Sequence, residues 1–222
     1  MSQLEKRYAE VKAEIAAVAK TAGRDPREIK VVAVTKTVGI EEVRQALALG
    51  IDDFGENRVQ DAAPKIAALP KAHWHFIGHL QSNKVKDVLP FYTLIHSLDR
   101  HTLAATMQNT AESLDIMVDA LVQVNVSGEE SKFGLDPSAL ADFLVYLNGL
   151  ERIRICGLMT MAPFVDDPES VRFVFRRLRE LRDLYATSGN GFNELSMGMT
   201  NDYKVAIEEG ATIVRIGSAL FS

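Results

Sequence analysis

The chain has 222 residues, 47% hydrophobic and 25% charged, which is enough to bury one large α/β core or two small ones. A formal net charge of −5 argues against a nucleic-acid surface or a polybasic membrane contact as the main function. No apolar run reaches the about eighteen residues of a spanning helix, no signal-peptide core opens the chain, and the single cysteine forms no internal disulfide, so a cytoplasmic protein is expected.

In chain order, Leu4, Tyr8, Val11, Ile15 and Val18 fall at alternating spacings of four and three and predict an N-terminal helix over 1–23, stopped by Gly23. Short apolar runs then alternate with amphipathic stretches: "KVVAVT", "IDDFG", "WHFIG", "YTLIHS", "DALVQVNV", "IRICGLM", "NELSM" and "ATIVRIG". These are eight strand candidates, all but the last followed by a helical pattern, as in parallel βαβ units with right-handed crossovers. Eight such units over 30–222 predict a (β/α)8 barrel of the TIM type with an extra N-terminal helix, at a compact repeat of about twenty-five residues. An open doubly wound sheet is the alternative, rather wide at eight strands. No Pro/Gly/Ser-rich linker divides the chain, so 1–222 is expected to be one domain. Pro64 predicts a kink or a late start in the helix after the second strand.

Reactive groups of such barrels gather at the C-terminal ends of the strands. "VVAVTKTVG" places Lys36 at the end of the first strand, in an apolar wall that would disfavour its charged form. The last two strand ends carry Gly198, Thr200, Asn201, Asp202, Gly217 and Ser218 beside helix starts, where backbone N–H groups and hydroxyls can hold a phosphate or can simply cap. A closed barrel sets strands one and eight side by side, and an amine beside a phosphate seat is the arrangement that pyridoxal phosphate requires. Arg215, a lone cation in "TIVRIG", either meets a core-edge carboxylate or stands beside the pyridine nitrogen, where it would oppose ring protonation.

"HWHFIGH" raises a metal site, but His73 and His75 begin their strand at the wrong end for chemistry and lack companion carboxylates or cysteines, so no metal is expected. Asn57 in "FGENRVQ" reads as a helix cap or a pocket residue, and Lys132 in "NVSGEESKFGL" as a solvated loop cation or a second amine. Cys156 reads as a small buried residue. "VRFVFRRLRELRD" reads as a barrel-surface helix with its arginines turned outward.

Together "VVAVTKT", "FGENRVQ", "WHFIGHLQSNK", "IHSLDR", "VNVSGEESKFG", "GLMTMAP", "LSMGMTNDY" and "VRIGSALF" closely resemble the pyridoxal phosphate homeostasis proteins, from about Val31 to Phe221. The resemblance implies a barrel related to the alanine racemase N-terminal domain, with pyridoxal 5'-phosphate as a Schiff base on Lys36. It also implies a phosphate held around Ser196, Met197, Thr200, Gly217 and Ser218, with Arg215 near the ring nitrogen and Asn57 lining the pocket. Lys132 would be a secondary cofactor lysine. The implied role is a non-catalytic carrier or buffer that serves apo-enzymes; the alternative is an amino-acid racemase of the same barrel class. A monomer that touches neither nucleic acid nor membrane is expected. The one departure is the stop at "LFS", where relatives often carry a glycine and a few more residues.

Overall fold

The computed structural model describes residues 2–129, 132–186 and 191–222. Each predicted strand is present: β1 (Lys30–Val34), β2 (Asp53–Glu56), β3 (His73–Phe76), β4 (Leu94–Leu98), β5 (Val118–Gln123), β6 (Ile153–Met159), β7 (Glu194–Met199) and β8 (Ile213–Ile216). They pair in parallel in chain order, and β8 closes on β1 with Val32 opposite Arg215. Closure excludes the doubly wound alternative. The helices are α1 (Gln3–Thr21), α2 (Ile40–Ala48), α3 (Val59–Ala68), α4 (Val85–Val88), α5 (His101–Leu114), α6 (Leu140–Leu147), α7 (Arg172–Tyr185), α8 (Tyr203–Glu208) and α9 (Ser218–Phe221).

The N-terminal helix starts where Ser2 and Glu5 form a reciprocal capping box. It buries Leu4, Val11, Ile15 and Ala19 against α8 and α9, leaving Tyr8 and Val18 half-buried at the edge of the stripe. A 3.1 Å ion pair from Lys204 to Glu14, and a hydrogen bond from Tyr203 to the same carboxylate, fix α1 to α8. On α7, Val174, Phe175, Leu178 and Leu181 face the barrel. The arginine face is not free: Arg172, Arg176 and Arg179 all meet the buried Glu209 at 3.0–3.1 Å, tying α7 to the end of α8.

Three local expectations change. Helix α3 begins at Val59 and runs through Pro64, its sixth residue. The last strand is followed by a single turn, α9. Cys156 is half-buried because the β5–β6 register passes from Ile155 to Gly157 and leaves it as the extra residue of a bulge. Inside the barrel, Val32, Leu94, Leu121, Met159 and Ile213 form an apolar plug separate from the larger core between strands and helices. Among the described residues, no helix is long and apolar enough to cross a membrane.

Candidate functional site

At the C-terminal ends of β1, β7 and β8 lies a cleft of about 420 Å³. Val34, Lys36, Thr200, Asp202, Arg215, Gly217 and Ser218 line it, with Pro163 and Phe164 from the segment after β6. The structure thus brings together Lys36, Thr200, Asn201, Asp202, Arg215, Gly217 and Ser218 of the residues singled out in the sequence.

Lys36 stands two residues beyond the end of β1 and is exposed, which corrects the expectation of an apolar wall. The chain turns immediately after the last strand residue, and the side chain leaves the packed layer. What is buried is its neighbour. Thr35 donates its N–H to Gly55 O at 3.1 Å and its hydroxyl to Glu56 Oε1 at 2.6 Å, and its carbonyl accepts from Lys65 Nζ at 2.6 Å. Lys65 also pairs with Glu56 Oε1 at 2.7 Å, with side chains 7% and 0% exposed. A buried ion pair therefore grips the backbone from which Lys36 springs, a feature that nothing in the α3 pattern announces.

Thr200 sits on the far wall. Its hydroxyl accepts from the backbone N–H of Gly217 and Ala219 at 3.4 and 3.5 Å, long contacts that a better acceptor can replace. Gly198, placed by the sequence beside a helix start, lies within β7 at φ +91°, where the β7–β8 register slips between Ser196 and Met199. A Cβ there would meet Ala206 Cβ at 2.6 Å, so only glycine allows this bulge against α8.

Two assignments are corrected by the regular alternation of β7 ahead of the slip, where Ser196 pairs with Met159 on β6 and Ile213 on β8. Ser196 points into the lumen, where its hydroxyl is engaged by Arg215 and His96, and the Met197 side chain is packed in the core. Neither side chain reaches the cleft. Asn57 does not line it either: it follows β2 with its backbone pressed on Gly78, where a Cβ would come within 2.3 Å of Asn57 O.

Lys132 is not a solvated cation. Its Nζ is shut off from solvent 2.9 Å from Glu129, and its charge is felt by the carboxyl of Asp202. Asn125 Nδ2 donates to Glu129 O at 2.9 Å, Gln123 Nε2 to Phe133 O at 3.0 Å, and the Phe133 ring stacks on His79 at 3.8 Å, so this segment folds over the barrel mouth. Glu130 and Ser131 of the same stretch lie outside the described residues.

Arg215 is 3% exposed and meets no carboxylate within ion-pair distance among the described residues. Nη1 donates to Ser196 Oγ at 2.5 Å and Nη2 to Thr160 O at 2.9 Å. Burial brings its pKa down to about 10, with Asp202 opposing, so it stays cationic at neutral pH. Burial conversely lifts the Asp202 carboxyl, against the Met199 N–H that its Oδ1 accepts at 2.6 Å.

Behind Arg215, His96 Nδ1 lies 2.8 Å from Ser196 Oγ, His75 Nδ1 2.9 Å from His96 Nε2, and His75 Nε2 2.9 Å from Asp53 Oδ1. Of the histidines raised as metal ligands, His75 is thus spent on a hydrogen-bonded line with His96, and His73 lies 3.6 Å from the same Asp53 Oδ1. Burial pushes the imidazoles of His75 and His96 below the ordinary 6.5, His96 well below. A folded pKa under the unfolded one means the unfolded chain binds more protons once pH drops beneath 6.5. Their contribution is complete above that value and lost as pH falls, at no more than about 1.4 kcal/mol per pH unit for each histidine. Urea midpoints are expected to fall between pH 6.5 and 5, and a flat profile would contradict neutral burial.

The sequence matches the family described as alanine racemase, N-terminal domain, over residues 7–222. A pyridoxal phosphate homeostasis protein of Aquifex aeolicus (strain VF5) is 47% identical over 203 residues, covering 90% of this chain and 89% of that protein. One of Pseudomonas aeruginosa is 40% identical over 224 residues, covering 100% and 96%. Among solved structures, PipY of Synechococcus elongatus PCC7942 with PLP bound superposes with a TM-score of 0.85 at 32% identity, covering 99% of this chain and 100% of that one. On these matches the chain belongs to the alanine racemase N-terminal domain family and, within it, to the pyridoxal phosphate homeostasis proteins.

Proposed function

We propose that this chain binds pyridoxal 5'-phosphate in the cleft at Lys36 and acts inside the cell in the homeostasis of that cofactor, as a carrier or buffer and not as an enzyme. The carrying observation is the convergence of one exposed amine, one buried guanidinium, and the hydroxyl and N–H groups around Thr200, Gly217 and Ser218 on a single cleft. That donor set fits the group: it offers an amine at one end and an anion seat at the other. When bound, pyridoxal phosphate supplies an aldehyde that condenses with an amine, and a ring that withdraws electrons.

In this reading Lys36 holds the aldehyde carbon, presented by the clamped Thr35. Thr200, Ser218 and the N–H groups of Gly217 and Ala219 would hold the phosphate in place of the long contacts now made to Thr200. Arg215 would stand by the ring nitrogen and, as a permanent cation, would oppose its protonation and weaken the electron sink. Lys132 stands by as a second amine. Residues 1–222 act as one monomeric binding domain, and apo-enzymes that need the cofactor are the recipients. The names of the relatives agree: those in Aquifex and Pseudomonas are called pyridoxal phosphate homeostasis proteins, and PipY was solved with PLP.

A racemase needs acid/base groups on both faces of the substrate α-carbon. The titratable side chains lining the cleft are Lys36, Asp202 and Arg215, with no tyrosine or histidine among the described residues there. Assays of the loaded protein with single amino acids are expected to give no turnover. Robust racemisation that disappears in Lys36→Ala would overturn the carrier reading.

A further inference from the structure

Five side chains from five strands form an unbroken line through the lumen: Asp53 on β2, His75 on β3, His96 on β4, Ser196 on β7 and Arg215 on β8. Strands β4 and β7 are not neighbours in the closed order, so the bond between His96 and Ser196 crosses the barrel. Asp53, the first residue of β2, lines a separate cleft of about 370 Å³ on the floor, together with Tyr8, Lys12 and Lys30. Arg215 lines the cleft at the mouth. The line therefore connects the two ends of the barrel.

Its two ends fix its direction. A guanidinium only donates, and an ionised carboxylate only accepts. Arg215 gives Ser196 a proton to share, so the Ser196 hydroxyl turns its own hydrogen to His96 Nδ1. His96 then carries its proton on Nε2 and donates to His75 Nδ1, and His75 carries its proton on Nε2 and donates to Asp53. Each nitrogen and oxygen along the line is satisfied with both rings neutral. The reverse sense would set the bare Nε2 lone pair of His75 against the Asp53 carboxylate and leave the Ser196 hydrogen without its acceptor. Lys30 and His73, each 3.6 Å from Asp53 Oδ1, support the accepting, ionised form at the floor. A line with one permitted sense is stiffer than its separate bonds, because no member can turn without breaking two contacts.

We infer that Asp53, His75, His96 and Ser196 are positioning residues that hold Arg215 in a single pose at the cleft, through a hydrogen-bond train of one fixed sense. The meaning of that pose for pyridoxal phosphate rests on the function proposed above; the tautomers do not.

The test is long-range ¹H–¹⁵N correlation on histidine-labelled protein without cofactor, in the unaltered chain and in Asp53→Ala and Asp53→Asn. In the unaltered chain both His75 and His96 should be neutral with the proton on Nε2. Asp53→Ala removes the floor acceptor, admits the reversed sense, and should shift or broaden the His96 ring nitrogens, although His96 does not touch residue 53. Asp53→Asn loses the charge but keeps an acceptor oxygen, and should restore the original His96 signals. After loading with pyridoxal phosphate, the visible absorption band should move in Asp53→Ala and return in Asp53→Asn. A His96 proton on Nδ1, or a His96 spectrum indifferent to Asp53→Ala, would overturn the train. An intact train with an absorption band unmoved in Asp53→Ala would overturn its hold on Arg215. If the unaltered protein takes up no cofactor, the proposed function fails, while the tautomer measurements still decide the train.

Discussion

Lys65→Met is expected to destabilise the protein by about 3–5 kcal/mol, the usual consequence of removing one partner of a buried ion pair. Glu56 is fully buried, and its Oε2 has no hydrogen-bond partner, so the carboxylate depends on what Lys65 and Thr35 give to Oε1. Methionine keeps much of the lysine stem and removes the charge, which leaves Glu56 stranded in the packed layer between β2 and α3. Adding Glu56→Gln to Lys65→Met should recover most of the loss, because the neutral amide no longer needs a counter-charge. Urea denaturation reads both effects, and a loss under about 1 kcal/mol for Lys65→Met would show the pair to be of little weight. The pair matters beyond stability because it fixes Thr35, the residue before Lys36, from two sides.

Lys36→Ala should have the opposite profile. The side chain is exposed, so stability should change by no more than about 0.5 kcal/mol. Retention of pyridoxal phosphate should be lost, and with it the visible absorbance of the loaded protein. Lys65 is locked to Glu56 and Thr35, and Lys132, the second amine of the proposed function, is paired with Glu129 and is not expected to retain the cofactor without Lys36. Absorbance after gel filtration, read beside a denaturation curve, separates a lost binding group from a lost fold. A fully coloured Lys36→Ala protein would move the binding amine elsewhere.

The barrel was legible because short apolar runs alternate with helical patterns along the chain, and eight such runs close naturally. Lys36 and Arg215 stood out as lone cations at the ends of apolar strands, and the cleft holds both. Ser196 was misplaced because the motif "LSMGMT" does not itself say which residues face the lumen and which stand at the rim. Ser196 falls on the inward face of the regular part of β7, and the bulge at Gly198 comes only after it, leaving Thr200 at the rim. The hydrogen-bond train was illegible for a different reason: His96 and Ser196 are 100 residues apart and meet only across a closed lumen. The Lys65–Glu56 pair was hidden likewise, since an inward lysine on a surface helix looks like any solvated one until the facing carboxylate is in place.

Borohydride reduction of the protein after incubation with pyridoxal phosphate, followed by peptide mass analysis, examines the role of Lys36 without intermediaries. The pyridoxyl group should be found on the peptide carrying Lys36, at a stoichiometry near one per chain. Label confined to Lys132 or to any other lysine, or no label at all, would contradict the assignment of this cleft as the cofactor site.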